Sequence, residues 1–152
     1  AEKWHFDIES LFVDAGVPYF VTKHRQPGKI RTWEPGAKLY RLDSFAADRV
    51  NQLTLVGTHD ELAVATAADL SPDGNWLAVL CYTTIWLFAR PETGDDWFSG
   101  QSHKLDLEVQ QTGQVEAITW KDNDTLLFTN EPGELFEVEK LKILEAPVKR
   151  QR

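Results

Sequence analysis

The sequence predicts an all-β protein in which three four-stranded antiparallel sheets follow one another along the chain. Short runs of residues alternate between apolar and polar side chains, a pattern typical of half-buried strands. Asp, Gly, Pro and Asn separate these runs, and one order of strands and turns recurs three times. No segment of convincing length has the apolar period of a helix, and the stretch 45–50 can form at most a single helical turn.

The middle unit has the clearest pattern. Strands are predicted at 62–70, 76–80 and 84–89, and the first two are joined by the turn Ser71-Pro72-Asp73-Gly74. Pro fixes φ at the first corner of such a turn, Asp bonds its own backbone, and Gly accepts the positive φ that closes a hairpin.

The first and third units repeat this order. The first unit has predicted strands at 7–13 and 17–23 around the turn 14–16, and the third has them at 114–120 and 125–130 around the turn 121–124. When the units are aligned on their turns, the residues that coincide in the first strands are Glu9, Thr66 and Glu116.

Each unit continues with two further strands. The third strands are predicted at 38–42, 85–88 and 134–138, and the fourth at 52–56, 103–109 and 140–144. A four-stranded meander that recurs at intervals of about 40–50 residues is the signature of β-propeller blades. The blades are predicted at 4–58, 62–109 and 114–145, within a single propeller segment that spans 1–152.

One motif makes the resemblance more specific. The stretch from Thr66 to Val79, which reads TAADLSPDGNWLAV, resembles the WD40-like repeat of the TolB type, in which an SPDG turn joins the first two strands of a blade. The turns of the first and third units depart from this motif. The resemblance implies an architecture and not an activity, because propellers host hydrolases, lyases and interaction modules alike.

Three blades cannot close a ring, since propellers typically have about four to eight. Two alternatives remain open: the chain is part of a longer propeller, or identical chains associate, two of them giving a six-bladed ring. Association predicts an apparent mass above the 17.3 kDa of one chain.

Composition excludes several classes of function. The net charge of −8 argues against binding to nucleic acid and to anionic membrane surfaces. No run of about 18 apolar residues is present, so we expect a soluble protein, either cytoplasmic or periplasmic and secreted. The single cysteine, Cys81, lies in an apolar run and is expected to be a small buried side chain rather than a reactive thiol.

Carboxylates are expected near the propeller axis, because the first strand of a blade usually lines the central channel. The candidate metal ligands are Glu9, Asp69 and Glu116, which would suit Ca²⁺ or Mg²⁺. The stretch 7–11 (DIESL) is similar to the D-x-E-G-L pattern of metal-dependent esterase-like and phytase-like propellers, with Ser10 in place of Gly. The alternative is a set of acidic residues that bond to water and backbone in a wet channel.

Two long loops supply the candidate ligand-binding residues. The loop 24–36 is locally basic and contains Arg25, Arg31 and Trp33, which could hold a carboxylate or phosphate. The loop 90–100 contains Trp97 and Phe98, an aromatic pair that could anchor a partner. The alternatives are a solvated insertion for the first loop and aromatic side chains folded back onto the blade for the second.

No motif of nucleophilic, zinc or nucleotide chemistry is present. We therefore expect a non-catalytic scaffold or binding module that takes a protein or small-molecule partner on its loop faces. A metal-assisted hydrolase that uses the channel carboxylates is one alternative. A self-assembling fragment without an activity of its own is another.

Overall fold

The computed structural model describes residues 6–29 and 31–147, and in them three antiparallel sheets account for most of the regular structure. Sheet 1 contains β1 (Ile8–Asp14), β2 (Val17–Thr22), β3 (Ala37–Leu42) and β4 (Leu53–His59). Sheet 2 contains β5 (Ala65–Leu70), β6 (Trp76–Cys81), β7 (Thr84–Ala89) and β8 (Ser102–Asp106). Sheet 3 contains β9 (Val115–Trp120), β10 (Thr125–Asn130) and β11 (Leu135–Glu139). The prediction of an all-β protein built from antiparallel sheets is thus confirmed.

Each sheet is a meander, because its strands pair in the order in which they follow along the chain. The first strands of the three sheets lie next to one another, β1 beside β5 and β5 beside β9. Alternating side chains build two cores: one between sheets 1 and 2, around Phe88 and Trp97, and one between sheets 2 and 3, around Ile85 and Leu126. Sheet 2 is therefore covered on both faces.

The SPDG turn between β5 and β6 has the geometry expected from its residues. Gly74 has a φ of 70°. The Ser71 hydroxyl oxygen accepts hydrogen bonds from the N–H groups of Asn75 (3.2 Å) and Trp76 (2.9 Å). The Asp73 N–H donates to the Asn123 side chain in the β9–β10 turn (2.9 Å), so the turns of sheets 2 and 3 are held side by side.

The prediction of a fourth strand in sheet 3 is wrong. Residues Lys140–Leu144 form a short helix, α2. The alternation of Lys with apolar residues suggested a strand, but these are also good helix formers, and one helical turn buries Ile143 against sheet 2. Burial of one side chain by a tertiary contact thus decides the conformation of the segment.

Three shorter segments also differ from the prediction or add to it. The expected strand at 103–109 ends at Asp106, and Val109–Thr112 forms the short helix α1. A 3₁₀ turn occupies Trp97–Ser99. The stretch 45–50 is irregular. Within the part of the chain that the structure describes, we find no helix with the length and apolar character needed to cross a membrane.

Candidate functional site

A buried basic segment follows β2 and contains one of the predicted ligand-binding residues. Its members Lys23, His24 and Arg25 are almost completely buried. Each lies close to a carboxylate, and the pairs are Lys23 with Glu9, His24 Nε2 with Glu34 Oε1 at 3.9 Å, and Arg25 Nε with Asp7 Oδ2 at 2.7 Å. Charged groups are tolerated at such burial only when they are paired, so these contacts account for the position of the segment.

The environment of Lys23 favours its charged form. Burial opposes protonation, but hydrogen bonds to Glu9 and to Tyr82 outweigh it and raise the pKa of Lys23 above its ordinary value. The ammonium group also lies 4.9 Å from the centre of the Tyr82 ring. Lys23 therefore joins the end of sheet 1 to the β6–β7 turn of sheet 2 as a cation, and it is not poised to act as a base.

The structure brings Arg25 and Trp33 together and leaves Arg31 apart. Arg25 and Trp33 form an isolated antiparallel bridge, with the guanidinium carbon 5.6 Å from the indole ring. Trp33 packs edge-on against Tyr82 with ring centres 5.7 Å apart, whereas Arg31 is exposed. The Arg25 guanidinium was expected to bind an anionic ligand. In the structure it already pairs with the carboxylate of Asp7.

The aromatic pair of the second loop lies inside the protein. Trp97 is 0% exposed and Phe98 7% exposed. Trp97 packs edge-on against Phe12 (6.2 Å between ring centres), and Phe98 contacts Phe88 (5.0 Å). The 3₁₀ turn directs both rings into the core between sheets 1 and 2. The two aromatic side chains are thus folded back onto the sheets, and they do not form an exposed anchor for a partner.

The three predicted metal ligands do not converge. No group of three His, Cys, Asp or Glu side chains that could hold a metal ion occurs within residues 6–29 and 31–147. Glu9 pairs with Lys23, and Glu116 accepts a hydrogen bond from Gln114. Glu9 and Glu116 lie on β1 and β9, the first strands of sheets 1 and 3, with sheet 2 between them.

Asp69 has a structural contact that sequence reasoning missed. Its Oδ2 accepts hydrogen bonds from the backbone N–H of Trp120 (2.8 Å) and from the Thr119 hydroxyl (2.9 Å). The carbonyl oxygen of Asp69 accepts a further bond from the Trp120 indole N–H (3.1 Å). Asp69 thus ties β5 to β9 and is a connection between sheets 2 and 3.

Cys81 lies at the end of β6 and is 2% exposed. Burial raises the pKa of its thiol to about 12, although hydrogen bonds with Thr84 and Ala63 act in the opposite direction. The thiolate, which is the reactive form, is therefore scarce at neutral pH. The expectation of a small buried side chain is confirmed.

The largest feature that the sequence reasoning missed is the open apolar face of sheet 1, defined here as the face that points away from sheet 2. Side chains paired across neighbouring strands share a face. One row runs through all four strands, and its members are Leu11, Phe20, Tyr40 and Leu55. A second row beside it consists of Val13, Pro18, Leu42 and Leu53. Leu11 and Leu55 are each 50% exposed, and Phe6 packs edge-on against Tyr40 with ring centres 6.5 Å apart. Within residues 6–29 and 31–147 this apolar layer is therefore largely open.

The outer face of sheet 3 differs in chemistry. Its cross-strand rows combine Thr119 with Leu127 and Glu137, and Ala117 with Thr129 and Leu135. The two end faces of the three-sheet array are therefore unlike, one apolar and the other mixed and acidic. A signal for the apolar face was present in the sequence, since Leu11-Phe12-Val13 places apolar residues on both faces of one strand.

Comparison with known proteins adds no family to this description. No family model matches the chain, and no curated protein matches it significantly in sequence. The resemblance to the TolB-type repeat therefore stays a prediction that rests on the SPDG motif.

Proposed function

We propose that the chain is a non-catalytic scaffold module of the β-propeller type, and that it binds another protein surface through the open apolar face of sheet 1. The observation that carries this proposal is the pair of apolar rows on that face. Four strands about 4.8 Å apart and about five residues of each strand make a face of roughly 19 by 17 Å. An area of about 320 Å² is in the range of the largest apolar patch on a typical monomer, and such a patch is often functional.

The order of the sheets supports the propeller part of the proposal. In a propeller the first strand of every blade lies nearest the axis, and consecutive blades pack face to face. The neighbouring positions of β1, β5 and β9 and the two cores between the sheets agree with such an arrangement. In this arrangement the open face of sheet 1 is the surface on which one more sheet would pack.

The occupant that we propose is sheet 1 of a second copy of this chain. An apolar face is best covered by another apolar face. Contact with the outer face of sheet 3 would instead remove the carboxylates of Glu137 and Glu139 from water and place them against apolar side chains. Contact of a surface with its own copy gives a closed dimer with twofold symmetry.

The test is the mass of the chain in solution, measured by sedimentation velocity between about 5 and 200 µM. We expect twice 17.3 kDa for the natural sequence. Leu55→Lys, which places a charge among the apolar side chains of β4 on this face, is expected to give the mass of one chain. The matched control is Leu135→Lys, which changes an apolar residue that is 66% exposed on sheet 3 and is expected to leave the dimer intact.

Two results would contradict the proposal. A natural chain that remains a monomer at all concentrations removes self-association through sheet 1. Dissociation by both Leu55→Lys and Leu135→Lys indicates instead that sheet 1 of one copy contacts sheet 3 of the next, as in a six-bladed ring. Circular dichroism of each variant separates loss of association from loss of the fold.

A further inference from the structure

Sheet 3 has one strand fewer than sheets 1 and 2, so its last strand is an edge. In the described residues, 6–29 and 31–147, no strand pairs with the other side of β11. The Lys140 N–H, directly after β11, donates to the Asp124 carbonyl, directly before β10, at 2.7 Å. Because backbone groups alternate in direction along a strand, the even-numbered residues of β11 direct their N–H and C=O groups toward β10. The N–H and C=O groups directed toward the open edge are those of Leu135, Glu137 and Glu139.

A cleft of about 340 Å³ with both polar and apolar lining residues lies beside this edge, between sheets 2 and 3. Phe136 and Val138 line it from β11, while Leu105 and Leu107 line it from β8 and the residue after β8. Phe136 stacks on Phe128 with ring centres 5.0 Å apart, which keeps one wall flat and apolar. Phe136, Leu105 and Leu107 are only partly buried, so their exposed surface is available for further contact.

The corresponding place between sheets 1 and 2 is filled. There the 3₁₀ turn lies against β4, the fourth strand of sheet 1, and directs Trp97 and Phe98 into the core. Between sheets 2 and 3 the described residues contain no fourth strand of sheet 3. The helix α2 fills part of this place by burying Ile143, and the cleft beside β11 stays open. An open backbone edge and an open cleft with an apolar wall therefore occur side by side.

We propose that β11 accepts an extended peptide as an antiparallel fourth strand of sheet 3, with alternating apolar and basic side chains. The peptide residues opposite Phe136 and Val138 lie over the cleft, and apolar side chains there contact Leu105 and Leu107. The residues opposite Glu137 and Glu139 lie on the outer face, where basic side chains meet carboxylates. Addition of a strand to a free edge is an established mode of peptide recognition, in which the backbone supplies affinity and alternate side chains supply specificity.

The charges around the edge and the cleft favour a basic peptide. The acidic side chains there are Asp106, Glu108, Glu137 and Glu139. Lys142 lines the same cleft, and Lys121 pairs with Glu137 at 3.0 Å on the surface. The carboxylates of Glu108, Glu137 and Glu139 against the ammonium groups of Lys142 and Lys121 leave an excess of negative charge. Since like charges that face each other across strands are unfavourable, an acidic peptide is excluded.

The experiment uses a fluorescent nine-residue peptide with Lys at odd positions and Val at even positions, titrated against the natural chain and followed by anisotropy. Its N-methylated forms supply the sharpest control. In an antiparallel pair, the N–H groups of the Lys residues point toward β11 and those of the Val residues point away. N-methylation of two central Lys residues is expected to weaken binding at least about tenfold, because each methyl group removes one backbone hydrogen bond to β11. N-methylation of two Val residues leaves binding within about twofold.

Hydrogen exchange locates the peptide. In the free protein the amides of Leu135, Glu137 and Glu139 are expected to exchange fast, while those of Phe136 and Val138 are protected by β10. Saturation with the peptide should protect the first three. The double variant Glu137→Gln and Glu139→Gln should weaken binding about threefold and reduce its dependence on salt, and Glu131→Gln, an exposed residue outside the edge, should leave both unchanged.

Three results overturn the proposal. One is the absence of saturable binding up to about 1 mM peptide, and another is equal weakening by the two patterns of N-methylation. The third is protection in sheet 1 instead of β11. Because the edge of sheet 3 is remote from the open face of sheet 1, the Leu55→Lys variant should bind the peptide as the natural chain does, whatever its own state of association.

Discussion

Replacement of Asp69 by Ala tests whether this carboxylate is a connection between sheets or a metal ligand. In the structure Asp69 Oδ2 receives the Trp120 N–H at 2.8 Å and the Thr119 hydroxyl at 2.9 Å, and Oδ1 receives the Leu70 N–H at 3.0 Å. Two of these three bonds cross from sheet 2 to sheet 3. Removal of the carboxylate should therefore weaken the contact between the sheets.

The magnitude follows from the exposure of the donors. Thr119 is exposed, so water can replace the Asp69 carboxylate as the partner of its hydroxyl, and the loss of this bond costs little stability. Trp120 is buried, and its N–H loses a charged acceptor. Hydrogen bonds to charged groups contribute about 1.5–3 kcal/mol each, and we expect Asp69→Ala to lower the free energy of unfolding by about 2–3 kcal/mol. Asp69→Asn keeps one acceptor oxygen for Trp120 and should cost about 1 kcal/mol.

The assay is urea unfolding followed by tryptophan fluorescence, together with thermal unfolding. For a chain of 152 residues, a loss of about 2–3 kcal/mol corresponds to a fall in Tm of roughly 5–10 °C. Thr119→Val should cost less than about 1 kcal/mol, since it removes only the exposed bond. Asp48→Ala changes an exposed carboxylate elsewhere and serves as the control.

A loss below about 0.5 kcal/mol for Asp69→Ala would refute this reasoning, as would equal losses for the Ala and Asn variants. A different pattern would restore the metal hypothesis. If Ca²⁺ or Mg²⁺ raises the Tm of the natural chain and Asp69→Asn abolishes that rise, the carboxylate binds a cation, because a ligand of the folded state must stabilise it.

Three further predictions concern buried polar groups. Burial lowers the pKa of His59 below its ordinary value. As the pH falls below about 6.5, the unfolded chain therefore gains a proton that the folded chain does not take up, and the Tm should decrease. In the His59→Phe variant this decrease should be smaller. Arg25→Ala leaves Asp7 without its cation and should lower the free energy of unfolding by about 3 kcal/mol in urea titrations, whereas the exposed Arg31→Ala should change it by less than about 0.5 kcal/mol. Cys81 should react with a thiol reagent on the order of 100-fold more slowly in the folded protein than in urea, and equal rates would contradict its burial.

The middle unit could be predicted almost completely from its residues. Alternation in 62–70, 76–80 and 84–89 indicated three strands, and the SPDG turn fixed the hairpin between the first two. These signals are local, because the turn bonds form within six residues and the period of a strand is visible in a few side chains. For the same reason the first two strands of the other units were predicted within one or two residues of their observed bounds.

The candidate site was less predictable, because its residues depend on partners far away in the sequence. Arg25 was predicted to bind a ligand and Asp69 to bind a metal ion, but their partners Asp7 and Trp120 could not be inferred from spacing. Trp97 in an irregular loop gave no sign of whether it faces solvent or the core. The tertiary structure decides such cases, since a paired charge and a buried ring gain their stability from contacts between sheets.

The sequence by itself thus determined the antiparallel strands, the hairpins and the threefold recurrence, all of which follow from backbone preferences and alternation over short distances. Only the tertiary structure decided that 140–144 is helical. It also decided that, among the described residues, sheet 3 ends at β11 and the apolar face of sheet 1 stays largely open. The physical reason is that Ile143 gains more from burial against sheet 2 than its segment would gain as an edge strand. Whether an apolar face is covered likewise depends on which sheets pack together, and alternation within one strand does not encode that choice.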